Sequence, residues 1–202
     1  MMIDEKALQR LRDKYPSETR IKLLKDIVDE FSTLYVGATG TVDFVDDAGN
    51  INMKWDNGST LSLIDYSDSF EIVSLPEKIK VIVAEPKKEP YVKEIYNTLR
   101  AKQELVGGLI QCVPSFFNDE IDYDFMVCEE GKIYGFPPNR YIYDKQDIVA
   151  GNLVIIKADL STGEFVTLTD DEINPLMEKL KNNCPMYEEN QIEIEETEEI
   201  EK

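Results

Sequence analysis

Apolar and polar positions change their period several times along the chain, and each change marks an element. Ala7, Leu8 and Leu11 recur at helical spacing behind Asp4, which predicts a short capped helix ending near Lys14. Tyr15-Pro16 stops it, because a residue before proline avoids the helical region. Ile21, Leu23 and Leu24 predict a first strand, and Asp26 to Tyr35 a longer connection. Val42, Phe44 and Val45 belong to the next strand. Asp46 to Gly49 is turn chemistry, and Ile51, Met53 and Trp55 alternate with Asn52 and Lys54 as a half-buried strand does. Asp56-Asn57-Gly58-Ser59 is a hairpin signal, since Asn-Gly tolerates the positive φ angles of a type I′ turn. Leu61, Leu63 and Ile64 return, and Phe70, Ile72 and Val73 close the set. Short strands joined by tight turns predict a small SH3-like β-barrel over residues 15–75, behind an N-terminal helix at 1–14.

Pro76 punctuates the next boundary, and residues 76–184 read as an α+β domain with a mixed or antiparallel sheet and two helices. Ile79 to Ala84 is a buried strand, Glu85 to Pro90 a loop, and Tyr91 to Glu104 a helix with Val92, Ile95, Leu99 and Ala101 inward. Gly107-Gly108 stops that helix. Strands follow at Leu109 to Val113 and Phe125 to Cys128. Phe136 to Arg140 is a loop, Asp147 to Ile156 contains another buried strand, and Phe165 to Leu168 an edge strand. Thr169 and Glu172 form a capping box for a last helix that buries Ile173, Leu176, Met177 and Leu180. Residues 185–202, rich in Glu, read as an acidic disordered tail.

Composition narrows the chemistry. The 202 residues carry 22 Lys plus Arg against 41 Asp plus Glu, a formal charge of −19. That balance opposes direct nucleic-acid binding, which relies on cations displacing counterions from phosphates, and favours a basic partner. No apolar run is long enough to span a membrane and none resembles a signal peptide, so a cytoplasm is the expected location. Three widely spaced cysteines are no secreted disulfide framework. Histidine is absent, which removes Ser-His-Asp and Cys-His nucleophiles and imidazole metal sites together. An enzyme would have to use paired carboxylates, a metal or a lysine; no spacing selects these, and no cofactor is called for.

Few positions look like sites. Trp55 is either a binding-surface aromatic or, by strand alternation, part of the core. Asp119, Glu120, Asp122 and Asp124 cluster without the glycine and distal glutamate of a calcium loop. Cys112 and Cys128 read as small buried hydrophobes, and Cys184 as more exposed. The most site-like feature is Pro138-Asn139-Arg140, where a stiffened loop offers forked donors to a carboxylate, phosphate or base edge, or else ties Arg140 into an internal ion pair. Lys132, Glu85 and Tyr91 are candidate neighbours of Asn139 and Arg140 on strand-end loops.

Two family resemblances follow from particular motifs. Lys14-Tyr15-Pro16, Thr19-Arg20-Ile21, Gly40-Thr41-Val42, Val45 to Gly49, Trp55 to Ser59 and Asp68-Ser69-Phe70 resemble the small-barrel domain-of-unknown-function family DUF4314 over residues 15–73. The proline-rich loop usual before the Gly-Thr is missing, since Asp26 to Ala38 holds no proline. Val83 to Pro86, Pro90-Tyr91, Val106 to Gly108, Glu129 to Lys132, Pro138 to Arg140 and Ile148 to Gly151 resemble the family DUF3846 over residues 78–180. Both resemblances imply an accessory protein of a phage or mobile element of Gram-positive bacteria. The expected function is non-enzymatic binding of a host or defence protein, with anti-defence action through a DNA-mimicking acidic surface as a sharper variant. The alternatives are a small-molecule binder that sequesters a nucleotide immune signal through Arg140 and Lys132, and a metal-dependent enzyme.

Overall fold

A computed structural model describes residues 3–28, 33–113, 123–142 and 146–182. The chain divides between Glu77 and Lys78 into two compact units, each with its own core. Among the described residues the first combines one helix, and the second two, with antiparallel sheets.

The first unit contains α1 (Glu5–Lys14), β1 (Arg20–Leu23), β2 (Ile27–Val28), β3 (Thr33–Leu34), β4 (Thr39–Val45), β5 (Ile51–Trp55) and β6 (Phe70–Ser74). Asp4 occupies the N-cap of α1 in an extended conformation, without a side-chain capping bond. Leu8 is the helix's buried residue, and Ile3 and Leu11 pack beside it. The helix lies over the β4–β5 turn. Gly49 there has φ +86°, and a β-carbon at that position would come within 3.0 Å of Ile3 and 3.3 Å of Leu11, so both the turn and the packing need glycine. Alternation places Ile51, Met53 and Trp55 in the core with Ile21, Leu23, Val42 and Leu63. Trp55 is 4% exposed and its indole N–H donates to the Leu61 carbonyl at 2.7 Å, so it is a core residue with its polar atom satisfied.

The sheet runs β5-β4-β1-β6. Among the described residues its two ends do not pair, so it is an open sheet rather than the closed barrel expected. The expected return strand at Leu61 to Ile64 is reduced to one bridge, Ile51 to Leu63. Side chains take over the pairing there: Ser62 Oγ donates to Asn52 Oδ1, and the Asp68 carboxylate accepts the Ile64 N–H. The Ile64 N–H is thus taken by a side chain and does not extend the bridge into a ladder.

The second unit contains β7 (Lys78–Ala84), β8 (Tyr91–Tyr96), α2 (Leu99–Val106), β9 (Ile110–Val113), β10 (Tyr123–Cys128), β11 (Pro138–Ile142), β12 (Asp147–Ala150), β13 (Leu153–Ala158), β14 (Phe165–Val166) and α3 (Asp170–Asn182). The main sheet runs β8-β7-β13-β10-β9, with β14 beside β13. Side chains alternate between its faces. Ile79, Val81, Val83, Met126, Val154 and Ile156 meet Leu105 and Val106 of α2 on one face. Ile82, Ala84, Phe125, Val127, Leu153 and Ile155 meet Ile173, Leu176 and Leu180 of α3 on the other. Burying each such aliphatic side chain stabilises the fold by about 1.5–3 kcal/mol.

Three expectations are corrected here. Tyr91 to Tyr96 is a strand and not the first half of a helix, because its β-branched and aromatic side chains pair along six residues of β7. The helix starts only at Leu99, where the Thr98 hydroxyl accepts the Ala101 N–H, and it stops at Gly107, whose φ of +86° is left-handed. Pro138 to Ile142 is a strand paired with β12, where a loop was expected. Cys112 is exposed on the edge strand β9 rather than buried, whereas Cys128 is buried.

Candidate functional site

The polar pair Asn139-Arg140 sits inside the second unit. Asn139 and Arg140 are both buried, and Arg140 is 0% exposed. Asn139 Nδ2 donates to the carbonyls of Ala84 and Gly151, both at 2.7 Å, joining the ends of β7 and β12. Its Oδ1 accepts from Arg140 Nη1 at 2.6 Å. Arg140 Nε donates to the Leu180 carbonyl in the last turn of α3 at 2.8 Å, and Nη2 to the Lys88 carbonyl at 3.3 Å. A cation at a helix C-terminus also faces the negative end of the helix dipole. Both side chains were expected on a surface loop. The strand turns them inward instead, and these bonds direct their donors to backbone carbonyls and to each other.

Glu85 and Tyr91 are brought together on the surface. The Tyr91 hydroxyl donates to Glu85 Oε1 at 2.8 Å, and Lys88 Nζ reaches Glu85 Oε2. Bonding to Lys88 and then to Tyr91 holds the Glu85 carboxyl below its ordinary range. Partial burial and the bond to Glu85 push the Tyr91 phenol up to about 12. The pair borders an open cleft of about 420 Å³ between β8 and α2, which Lys93, Glu104 and Asn152 also line. Asn152 is fixed by donating to the Leu105 carbonyl. This is a mixed-charge surface suited to polar contacts. Lys93 and Glu104 had no signal in the sequence, because the cleft exists only once β8 is a strand and α2 starts after it.

Lys132 lies elsewhere, in an ion pair with Asp147 at 2.5 Å. That bond, aided by the Ile148 N–H, lowers the Asp147 carboxyl. The pair stands at a second cleft of about 250 Å³ with Gln111, Val113, Ile142 and Val149 in its walls. Arg140 and Lys132 therefore do not converge as phosphate donors. The Cys112 thiol is raised by partial burial and then by the charge of Asp124, which keeps it protonated. Asp119, Glu120, Asp122, Cys184 and the acidic tail lie outside the described residues. Among the described residues no three carboxylates or thiols group as a metal site, and no helix is long and apolar enough to cross a membrane.

The small unit carries apolar side chains into solvent. On the β2–β3 hairpin and its flanks Val28 is 77% exposed, Tyr35 68% and Val36 60%, with Leu24 close to half exposed. The hairpin is anchored from below: Ile27 pairs with the fully buried Leu34, and Asp26 Oδ1 accepts the Val36 N–H at 2.6 Å. Its inner face therefore holds it to the core while the outer face stays apolar.

The chain belongs to the family described as domain of unknown function DUF3846, whose model matches residues 79–181. A second family, domain of unknown function DUF4314, matches residues 4–73. No curated protein and no solved structure matches the chain.

Proposed function

From a chain that joins these two families, we propose a non-enzymatic accessory protein of a phage or mobile element that acts by binding a basic host or defence protein in the bacterial cytoplasm. The observation that carries this reading is the exposed apolar set Leu24, Val28, Tyr35 and Val36 on an anchored hairpin. Several large apolar side chains exposed on one anchored element are characteristic of a protein contact. The charge of −19 would steer a basic partner toward it and repel most others. The finer reading of the small unit is an SH3-like barrel left open. The hairpin interrupts the chain between β1 and β4, β6 returns to β1, and the Leu63 bridge stands where one more strand would lie.

The test uses the purified chain and a double variant, Val28→Glu with Tyr35→Glu. Both are added to host restriction and CRISPR nucleases at low and high salt, and both are immobilised against host lysate. Inhibition or retention of a defined protein by the wild type, lost in the double variant, is the expected result. Unchanged cleavage, together with no protein whose retention depends on Val28 and Tyr35, overturns the proposal.

A further inference from the structure

The turn that leaves β5 has a reactive sequence. Asn57-Gly58 is the chain's one Asn-Gly pair, and both residues are exposed. The side-chain carbonyl of Asn57 accepts the Ser59 backbone N–H at 3.1 Å, which draws electrons from the carbon and prepares it for attack. The adjacent nucleophile is the backbone nitrogen of Gly58. No β-carbon shields it, and no atom lies within 4 Å of where one would be, so the turn has room to flatten. One bond resists: the Gly58 N–H donates to the Trp55 carbonyl at 2.9 Å and has to open before the nitrogen turns inward.

We propose that Asn57 is a site of spontaneous modification, converting through a cyclic imide to aspartate and isoaspartate. The Gly58 nitrogen forms a bond to the Asn57 side-chain carbonyl carbon. The bond from that carbon to Nδ2 breaks, and Nδ2 leaves as ammonia with the proton lost from Gly58. Water then adds to either imide carbonyl. Opening at the backbone carbonyl leaves the chain running through the side chain as isoaspartate, and opening at the other leaves aspartate. No oxidant or cofactor enters the balance.

The site matters because of its neighbours. Asp56 is held by the guanidinium of Arg20 and the hydroxyl of Thr39, so a new carboxylate one residue away competes for the same cation. Isoaspartate also lengthens the backbone of the turn that follows the buried Trp55. The modification therefore adds charge and slack beside the small unit's core.

Incubation of the full chain in mildly alkaline buffer, with peptide mapping by mass spectrometry, tests this. A free peptide spanning Trp55 to Ser59 serves as the clock, and an Asn57→Ser variant as the control. The expected result is a one-dalton gain confined to residue 57. Isoaspartate should exceed aspartate, conversion should be slower than in the free peptide and faster at higher pH, and the variant should show no gain. Residue 57 still asparagine after the free peptide has fully converted would overturn the proposal. So would equal conversion at Asn50, Asn52 and Asn97.

Discussion

Two arginines, one in each unit, show how differently the same side chain is used. Arg20 lies at the surface of β1 and grips Asp56 with both terminal nitrogens, at 2.9 and 2.6 Å, while Nη1 also donates to Thr41. Arg140 lies wholly inside the second unit and donates to backbone carbonyls of α3 and the β7–β8 turn. Water is shut out from the buried bonds of Arg140 to Leu180 and Asn139, so removing that side chain leaves buried acceptors with nothing in exchange. Identical chemistry is thus ornament in one place and framework in the other, and burial decides which.

The comparison breaks most directly at Arg140. Arg140→Met keeps an unbranched apolar stem and removes the donors to Leu180, Lys88 and Asn139. The expected cost is about 3–5 kcal/mol, seen as an earlier urea transition in far-UV ellipticity. Trp55, the chain's single tryptophan, lies in the core of the other unit, so its fluorescence transition should shift far less. Equal shifts in both signals, or a cost no larger than that of a surface substitution, would show that Arg140 is not the framework its geometry implies.

A half-buried ion pair falls between these extremes. Glu172 starts α3, where it accepts the backbone N–H and hydroxyl of Thr169 and pairs with Lys157. Burial opposes its ionisation, but those bonds win and lower its carboxyl from 4.5 to about 2. A depressed carboxyl contributes stability that is complete above 4.5 and is lost as pH falls through about 2. Glu172→Gln should therefore cost about 1–2 kcal/mol near neutrality. The gap from wild type should close as acid is added across that window, measured as urea midpoints against pH. A gap that stays constant would mean that packing, not charge, holds this helix start.

Burial also explains how much was legible in advance. Elements that follow one local period were readable: Ile51, Met53 and Trp55 alternate and are buried, and Ile173, Leu176 and Leu180 fill the inner face of α3. The Gly107 stop was readable because only its left-handed φ satisfies that helix end. Tyr91 to Tyr96 misled because Val92, Ile95 and Leu99 happen to fall at helical spacing. The deciding partner, β7, lies across a turn that local spacing does not reveal. Asn139-Arg140 misled for a related reason. Prolines and polar residues mark a surface loop locally, and only pairing with β12 and the approach of α3 turn them inward. Of the site candidates, Glu85 and Tyr91 were near in sequence and meet. Lys132 was linked to Arg140 by chemistry alone, and the fold separates their roles.

The smallest effect belongs to Arg20, and it is the sharpest check on the comparison. Bonding to Arg20, then to Thr39, holds the Asp56 carboxyl well below the usual carboxylate range. The pair therefore persists into acid, yet it stands in water, where persistence is not the same as stability. Arg20→Met should shift the Trp55 fluorescence transition by roughly 3 °C or less, and added salt should shrink even that. Its local effect should be clearer than its global one. Asp56 then loses its bidentate partner, the turn at Asn57-Gly58 keeps its bonds to Thr39, the Trp55 carbonyl and the Asn57 side chain, and its amides should exchange with solvent faster. A large loss of stability would mean that the surface arginine carries structure as the buried one does, and burial would no longer account for the difference between them.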